Sequence, residues 1–189
     1  ESPQRDANRI VLPPASFEHE VEKVRDRWPA AQRFIAERGL NECFAADADS
    51  IGIVVLGGLY NGVVRALERL GLADGFGRSR VPLYVLNVAY PLVDDEVARF
   101  CAGKDAVLVV EEGQPNYLEQ NLALILRRAG LATALHGKDV LPMAGEYTAA
   151  ELGRGLRRFL SRHGRVAPES PKAIELKPAA PAQIGRAHV

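Results

Sequence analysis

Three short stretches of this chain carry side chains that could do chemistry. Glu111 and Glu112 close the run VLVVEEG, and paired carboxylates are a common acid and base. Gly57-Gly58 follows the run IGIVVL, and glycines between a strand and a helix let backbone N–H groups approach a phosphate. His136-Gly137-Lys138-Asp139 sets an imidazole, an amine and a carboxylate close together. Each has a plainer structural reading. Adjacent glutamates at a strand end point to opposite sides, which suits a carboxylate beside a helix start or an interface better than catalysis. The full G-x-G-x-x-G spacing is absent, and a tight strand-to-helix turn needs glycine in any case. No serine or cysteine sits in a nucleophile turn, so His136 reads as a hydrogen-bonding residue of a loop or interface rather than a triad base.

The elements that would position these groups are legible from periodicity. Two apolar runs, at residues 82–88 and 106–110, flank a helix-length charged segment, which is a βαβ unit with parallel strands. The lack of apolar/polar alternation in the strands implies burial on both faces. Residues 51–56 form an earlier strand, followed by a helix at 59–70 with Val63, Val64, Leu67 and Leu70 on one face. A second strand is expected at 83–88, then a helix opened by Asp94, Asp95 and Glu96 with Val97, Phe100 and Cys101 facing inward. After the third strand, Asn116 and Glu119 are placed to cap a helix over 117–128. A weaker fourth strand is expected at 131–135, and Thr148-x-x-Glu151 reads as a capping box for a final helix ending near Ser161.

Upstream, Ser16 is the expected N-cap of a helix carrying Phe17, Val21 and Val24, which Pro29 should end or kink before it resumes to Gly39. Residues 41–50 read as a connection. The strand order is open between 3-2-1-4 and 2-1-3-4, and an antiparallel edge strand from the tail is allowed. The fold class is therefore α/β: a three-layer, mostly parallel open sheet with an N-terminal helical extension. Residues 1–50 would form the strap and extension, 51–163 the α/β domain, and 164–189, rich in Pro, Ala and Lys, a linker toward a further domain. The chain opens on Glu1 without methionine, which suits a domain excised from a longer product.

Composition narrows the function. The 189 residues carry 24 Lys plus Arg against 24 Asp plus Glu, so no net field favours nucleic acid or a membrane surface. No apolar run approaches the ~20 residues of a membrane span, and a soluble, cytoplasmic protein is expected. Cys43 and Cys101 are far apart and read as two free thiols in a reducing compartment, not a disulfide, zinc or iron–sulfur motif. A parallel sheet brings its strand C-termini to one rim, where such folds bind ligands. Arriving there are Gly57, Gly58, Tyr60, Asn61, Asn87, Tyr90, Glu111, Glu112, Gln114, His136, Lys138 and Asp139, a candidate ligand or interface edge with no catalytic or metal-binding assignment.

The run LNVAYPLVDDEVARFCAGKDAVLVVEEGQPNYLEQNLALILRRAG, followed by LHGKDVLPMAGEYTAAEL, resembles the middle domain of the alpha subunit of indolepyruvate:ferredoxin oxidoreductases. Four features carry it in order: the small-residue turn at 57–60, Tyr90-Pro91-Leu92, Val109-Val110-Glu111-Glu112, and Gly137-Lys138 with Leu141-Pro142 before Gly145-Glu146. The resemblance covers residues 51–160. It implies a thiamine-diphosphate-dependent holoenzyme that decarboxylates an arylpyruvate, reduces ferredoxin and forms an acyl-CoA, with this segment similar to a transketolase C-terminal domain that aids assembly. Its partners would be flanking thiamine-binding domains, a partner subunit and ferredoxin, and a homodimer is compatible. Thiamine diphosphate, Mg²⁺ and iron–sulfur clusters are implied for the holoenzyme and none for this segment, since no Gly-Asp dipeptide and no cysteine cluster occurs in the chain. Two other readings remain: a module binding a nucleotide or CoA-like ligand at the same rim, and a pure assembly module with an exposed apolar patch.

Overall fold

A computed structural model describes residues 12–46 and 50–167. The expectations for residues 1–11 and for most of the proposed linker at 168–189 lie outside the described residues. Helix α1 (Ala15–Glu22) passes through a π-helical turn (Lys23–Arg27) into α2 (Trp28–Glu37) without a break. Ser16 lies inside α1, whose N-cap position is Pro14 with no side-chain cap bond. Pro29 does not end the helix either. It stands in the first turn of α2, where a missing N–H is tolerated, directly after the π turn has re-phased the backbone. Gly39, at φ 56°, then closes α2, with Gly39 N–H donating to Ala36 O and Leu40 N–H to Ile35 O.

The sheet has five strands: β1 (Glu42–Phe44), β2 (Ile51–Leu56), β3 (Leu83–Leu86), β4 (Ala106–Val110) and β5 (Ala134–His136), in the order β1-β3-β2-β4-β5. The four expected strands are parallel to their neighbours and follow the 2-1-3-4 alternative. The antiparallel edge strand exists, but it comes from the upstream connection: Glu42 pairs with Val85 and Phe44 with Leu83. Its exposed three-residue span shows no hydrophobic period, which is why the sequence reads as a loop there.

Helices α3 (Tyr60–Arg69), α4 (Asp94–Cys101), α5 (Tyr117–Arg128) and α6 (Ala149–Arg162) complete three layers. Ile51, Ile53 and Val55 pack under α3 and α6, with Phe159 and Leu156 fully buried. Val54, Tyr84, Val107 and Val109 face the opposite way, against α4 and α5. Both sheet faces are thus dry, as the unalternating runs imply. Gly52 is a packing requirement: a Cβ there would come within 2.8 Å of the Phe100 ring.

The N-terminal helix is tied to this body at a few points. Gln32 Nε2 donates to Leu92 O at 2.7 Å, Trp28 meets Tyr90 edge-on at 4.6 Å between ring centroids, and buried Asn41 accepts from Val88 N at 2.9 Å.

Candidate functional site

The β4 end is where the sheet rim is most heavily bonded. Glu111 leaves β4 toward the start of α5 and accepts hydrogen bonds from Leu118 N at 2.8 Å and Glu119 N at 3.2 Å. It therefore takes the capping place expected of Asn116, which makes no cap bond and instead accepts from Gln120 Nε2. A carboxylate is the better cap because it meets two unpaired N–H donors and the positive helix end at once. Glu112 points the other way and accepts from Tyr147 N.

Lys138, just beyond β5, closes the gap. Its Nζ donates to Glu111 O and to Tyr147 Oη, its backbone N donates to Glu119 Oε2 at 3.1 Å, and Tyr147 Oη donates on to Pro142 O at 2.8 Å. Burial pushes the Lys138 ammonium down, while the Glu111, Glu119 and Glu112 carboxylates oppose that shift. Burial, seconded by Glu111, Glu112 and Glu119, raises the Tyr147 phenol to about 12, so it stays protonated and able to donate. Gly137 suits this arrangement, because a Cβ there would displace the Glu119 carboxylate from its bond with Lys138 N. The group pairs its donors and acceptors internally, the Lys138 amine included. What it does chemically is lock β4, β5 and the loop before α6 into one register.

Two smaller clusters flank it. On the β3 side, Asn87 Nδ2 donates to Leu40 O at 2.9 Å and Glu42 Oε2 at 3.0 Å, and its Oδ1 lies 2.6 Å from where a Cβ on Gly57 would sit. Gly57 is thus explained by Asn87. Gly58 and Asn61 are exposed, and the chain turns from β2 into α3 through a single 3-10 turn, Gly57–Leu59. Tyr60 stacks on Phe44 at 5.7 Å. On the β5 side, Asp139 bonds His136 Nδ1 at 2.9 Å, Gly137 N at 2.9 Å and Arg162 Nη1 at 2.6 Å. Burial pushes the Asp139 carboxyl up, but the bonds from His136, Gly137 and Arg162 prevail and bring it to about 2. His163 stands 5.6 Å from His136, ring to ring, and burial first, then His136, lowers its pKa.

The structure therefore gathers Glu111, Glu112 and Lys138, places Asn87 with Gly57, and pairs His136 with Asp139. Gln114 is exposed beyond these groups, and Tyr90 belongs with Trp28 instead. Sequence reasoning missed Asn41, Glu42, Glu119 as a rim acceptor, Tyr147 and Arg162. Tyr147, next to the recognised Thr148 cap, carried the one usable signal, since a large polar ring beside a helix start seeks a partner. Among the described residues no group of three His, Cys, Asp or Glu could hold a metal ion, and no helix is long and apolar enough to cross a membrane.

Fold and rim together define a three-layer α/β domain with a mostly parallel five-stranded sheet and an internally bonded C-terminal edge. No protein-family model matches the chain. Curated relatives do: it is 33% identical over 147 residues to indolepyruvate oxidoreductase subunit IorA of Methanothermobacter thermautotrophicus, covering 76% of this chain and 22% of the relative. It is 34% identical over 158 residues to the subunit of the same name from Methanothermobacter marburgensis, covering 80% and 24%. The Thermococcus kodakarensis subunit is 30% identical over 110 residues, covering 58% and 16%. Over this segment the chain is a homologue of IorA subunits, as its motifs suggested, and it spans about a quarter of their length at 22% and 24%. Among solved structures, a 2-oxoglutarate:ferredoxin oxidoreductase from Magnetococcus marinus aligns with a TM-score of 0.43 at 17% identity, over 77% of this chain and 23% of that one. A split-gene transketolase in an inactive β4 tetramer gives 0.43 at 18% identity, over 61% and 40%.

Proposed function

We propose that this chain is a non-catalytic middle domain of an indolepyruvate (arylpyruvate) ferredoxin oxidoreductase, supporting the domains and partner subunit that hold the reacting groups. The observation that carries this reading is the IorA homology over most of the chain, at 33% identity and 76% coverage. The holoenzyme would be cytoplasmic and convert a 2-oxoacid and CoA to an acyl-CoA while reducing ferredoxin, using thiamine diphosphate, Mg²⁺ and iron–sulfur clusters. The domain body would take in residues 41–163, since β1 is part of the sheet, with the residues that follow serving as a linker.

The described residues do not fit thiamine diphosphate or its metal. The helix start nearest the rim carboxylates is already occupied by Glu111, Glu112 is committed to Tyr147, and no metal-ligand cluster is present among them. The same pairing disfavours a nucleotide or CoA-like ligand at this rim, because a diphosphate would compete with a carboxylate for the α5 N–H groups. The test is ferredoxin reduction by the gene product containing this segment, with its partner subunit, indolepyruvate, CoA, thiamine diphosphate and Mg²⁺. Turnover by the assembled enzyme and none by the 189-residue chain is expected. An assembled enzyme that oxidises no 2-oxoacid overturns the reading.

A further inference from the structure

We propose that His163 is an acid-sensitive latch: with a neutral ring it holds the last turn of α6, and the chain leaving it, against β5, and with a protonated ring it lets them go. His163 is the C-cap residue of α6, and its ring completes a cluster of three. It lies 4.9 Å from the Phe159 ring and 5.6 Å from that of His136 in β5, and Phe159 itself is fully buried. Among the described residues, His163 Nε2 is the one buried side-chain nitrogen or oxygen without a hydrogen-bond partner.

A helix C-terminus ordinarily favours a cationic imidazole. Here the ring is turned inward, and that reverses the preference. A neutral imidazole tolerates one enclosed, unpaired nitrogen, whereas an imidazolium carries a donor on both, and an enclosed N–H without an acceptor is costly. The surrounding charges add to this. Arg162 and Arg165 flank the ring on its own segment and His136 faces it from β5, while Asp105, before β4, is the carboxylate that opposes them. Asp139 is already bonded to His136, Gly137 N and Arg162. Burial first, then His136, holds the His163 pKa below the ordinary 6.5. The closed arrangement is therefore favoured above that pH and loses ground as pH falls below it. What opens is small and defined: Gly164 N to Ser161 O at 3.2 Å, Arg165 N to Leu160 O at 2.9 Å, and Arg165 Nη2 to Ser50 Oγ at 2.7 Å. Together these bonds fasten the chain's departure from α6 beside the start of β2. Acidification thus loosens the exit from the domain while the sheet stays intact. This inference does not depend on the oxidoreductase reading.

NMR of the 189-residue chain tests it, reading the imidazole titrations and the hydrogen-exchange protection factors of the Gly164 and Arg165 amides. His163 is expected to titrate below an exposed imidazole. Between about pH 8 and about pH 5 the two protection factors should fall about tenfold or more while those of β4 hold. H163M, which cannot titrate, should keep its protection at the acidic end, and H163K, charged throughout, should lack it at both ends. Should H163K fail to fold, the titration and H163M still decide. A His163 that titrates like an exposed imidazole or above it, protection lost equally in wild type and H163M, or a folded H163K as protected as wild type at the alkaline end would overturn the proposal.

Discussion

At the residue scale, the proposed supporting role predicts that removal of the rim carboxylates is read in stability. Glu111→Gln keeps the shape but loses the charge facing the α5 N–H pair and should cost about 1 kcal/mol in urea unfolding. Lys138→Met leaves the Glu111 carbonyl without its side-chain donor and removes one of the two bonds of the Tyr147 hydroxyl, and should cost about 1–3 kcal/mol, more than an exposed lysine would. Asp139 gives a pH signature with a definite sign. Its folded value, about 2, lies below the ordinary 3.8, so its contribution is present above pH 4 and is lost as pH falls from there toward 2. The melting temperatures of wild type and Asp139→Asn should therefore differ at pH 6 and converge on acidification. A constant gap would show that Asp139 acts without its charge.

At the element scale, α6 contains two glycines with opposite expected behaviour. A Cβ on Gly153 meets nothing, so Gly153→Ala should stabilise by about 1 kcal/mol through helix propensity. Two residues on, a Cβ on Gly155 runs into Leu141, so Gly155→Ala should destabilise by about 1–3 kcal/mol despite the same propensity gain. Thermal unfolding of the two variants checks both signs. The same contrast explains what periodicity could reveal. The strands at 51–56 and 106–110 and the helix at 117–128 emerge at their predicted bounds because burial on both sheet faces writes long apolar runs. Strand β1, the continuous passage through Pro29 and the Glu111 cap were illegible because each depends on a neighbour distant in sequence or on a π turn that leaves no pattern. The Thr148 cap was half right: Thr148 Oγ1 accepts from Glu151 N at 3.3 Å, but the Glu151 carboxylate turns to Arg154 rather than back to the cap.

At the scale of the whole molecule, polar and apolar surface have separated. At the C-terminal rim, where an open parallel sheet ordinarily receives a ligand, Glu111, Glu112, Lys138 and Tyr147 bond to one another and to the backbone on the β4–β5 side, while a groove lined by Leu56, Ala89, Tyr90 and Glu111 opens past the ends of β2, β3 and β4. Among the described residues, exposed apolar side chains gather along α1, α2 and α5. The proposed supporting role is compatible with a segment similar to about a quarter of a larger oxidoreductase subunit, at 22% and 24% of its length. The most direct measurement is thermal unfolding of the 189-residue chain across rising concentrations of thiamine diphosphate with Mg²⁺, and separately of CoA. The account predicts a melting temperature that shows no saturable rise with either. A saturable rise that Glu111→Gln or Lys138→Met abolishes would make the rim a ligand site and contradict it.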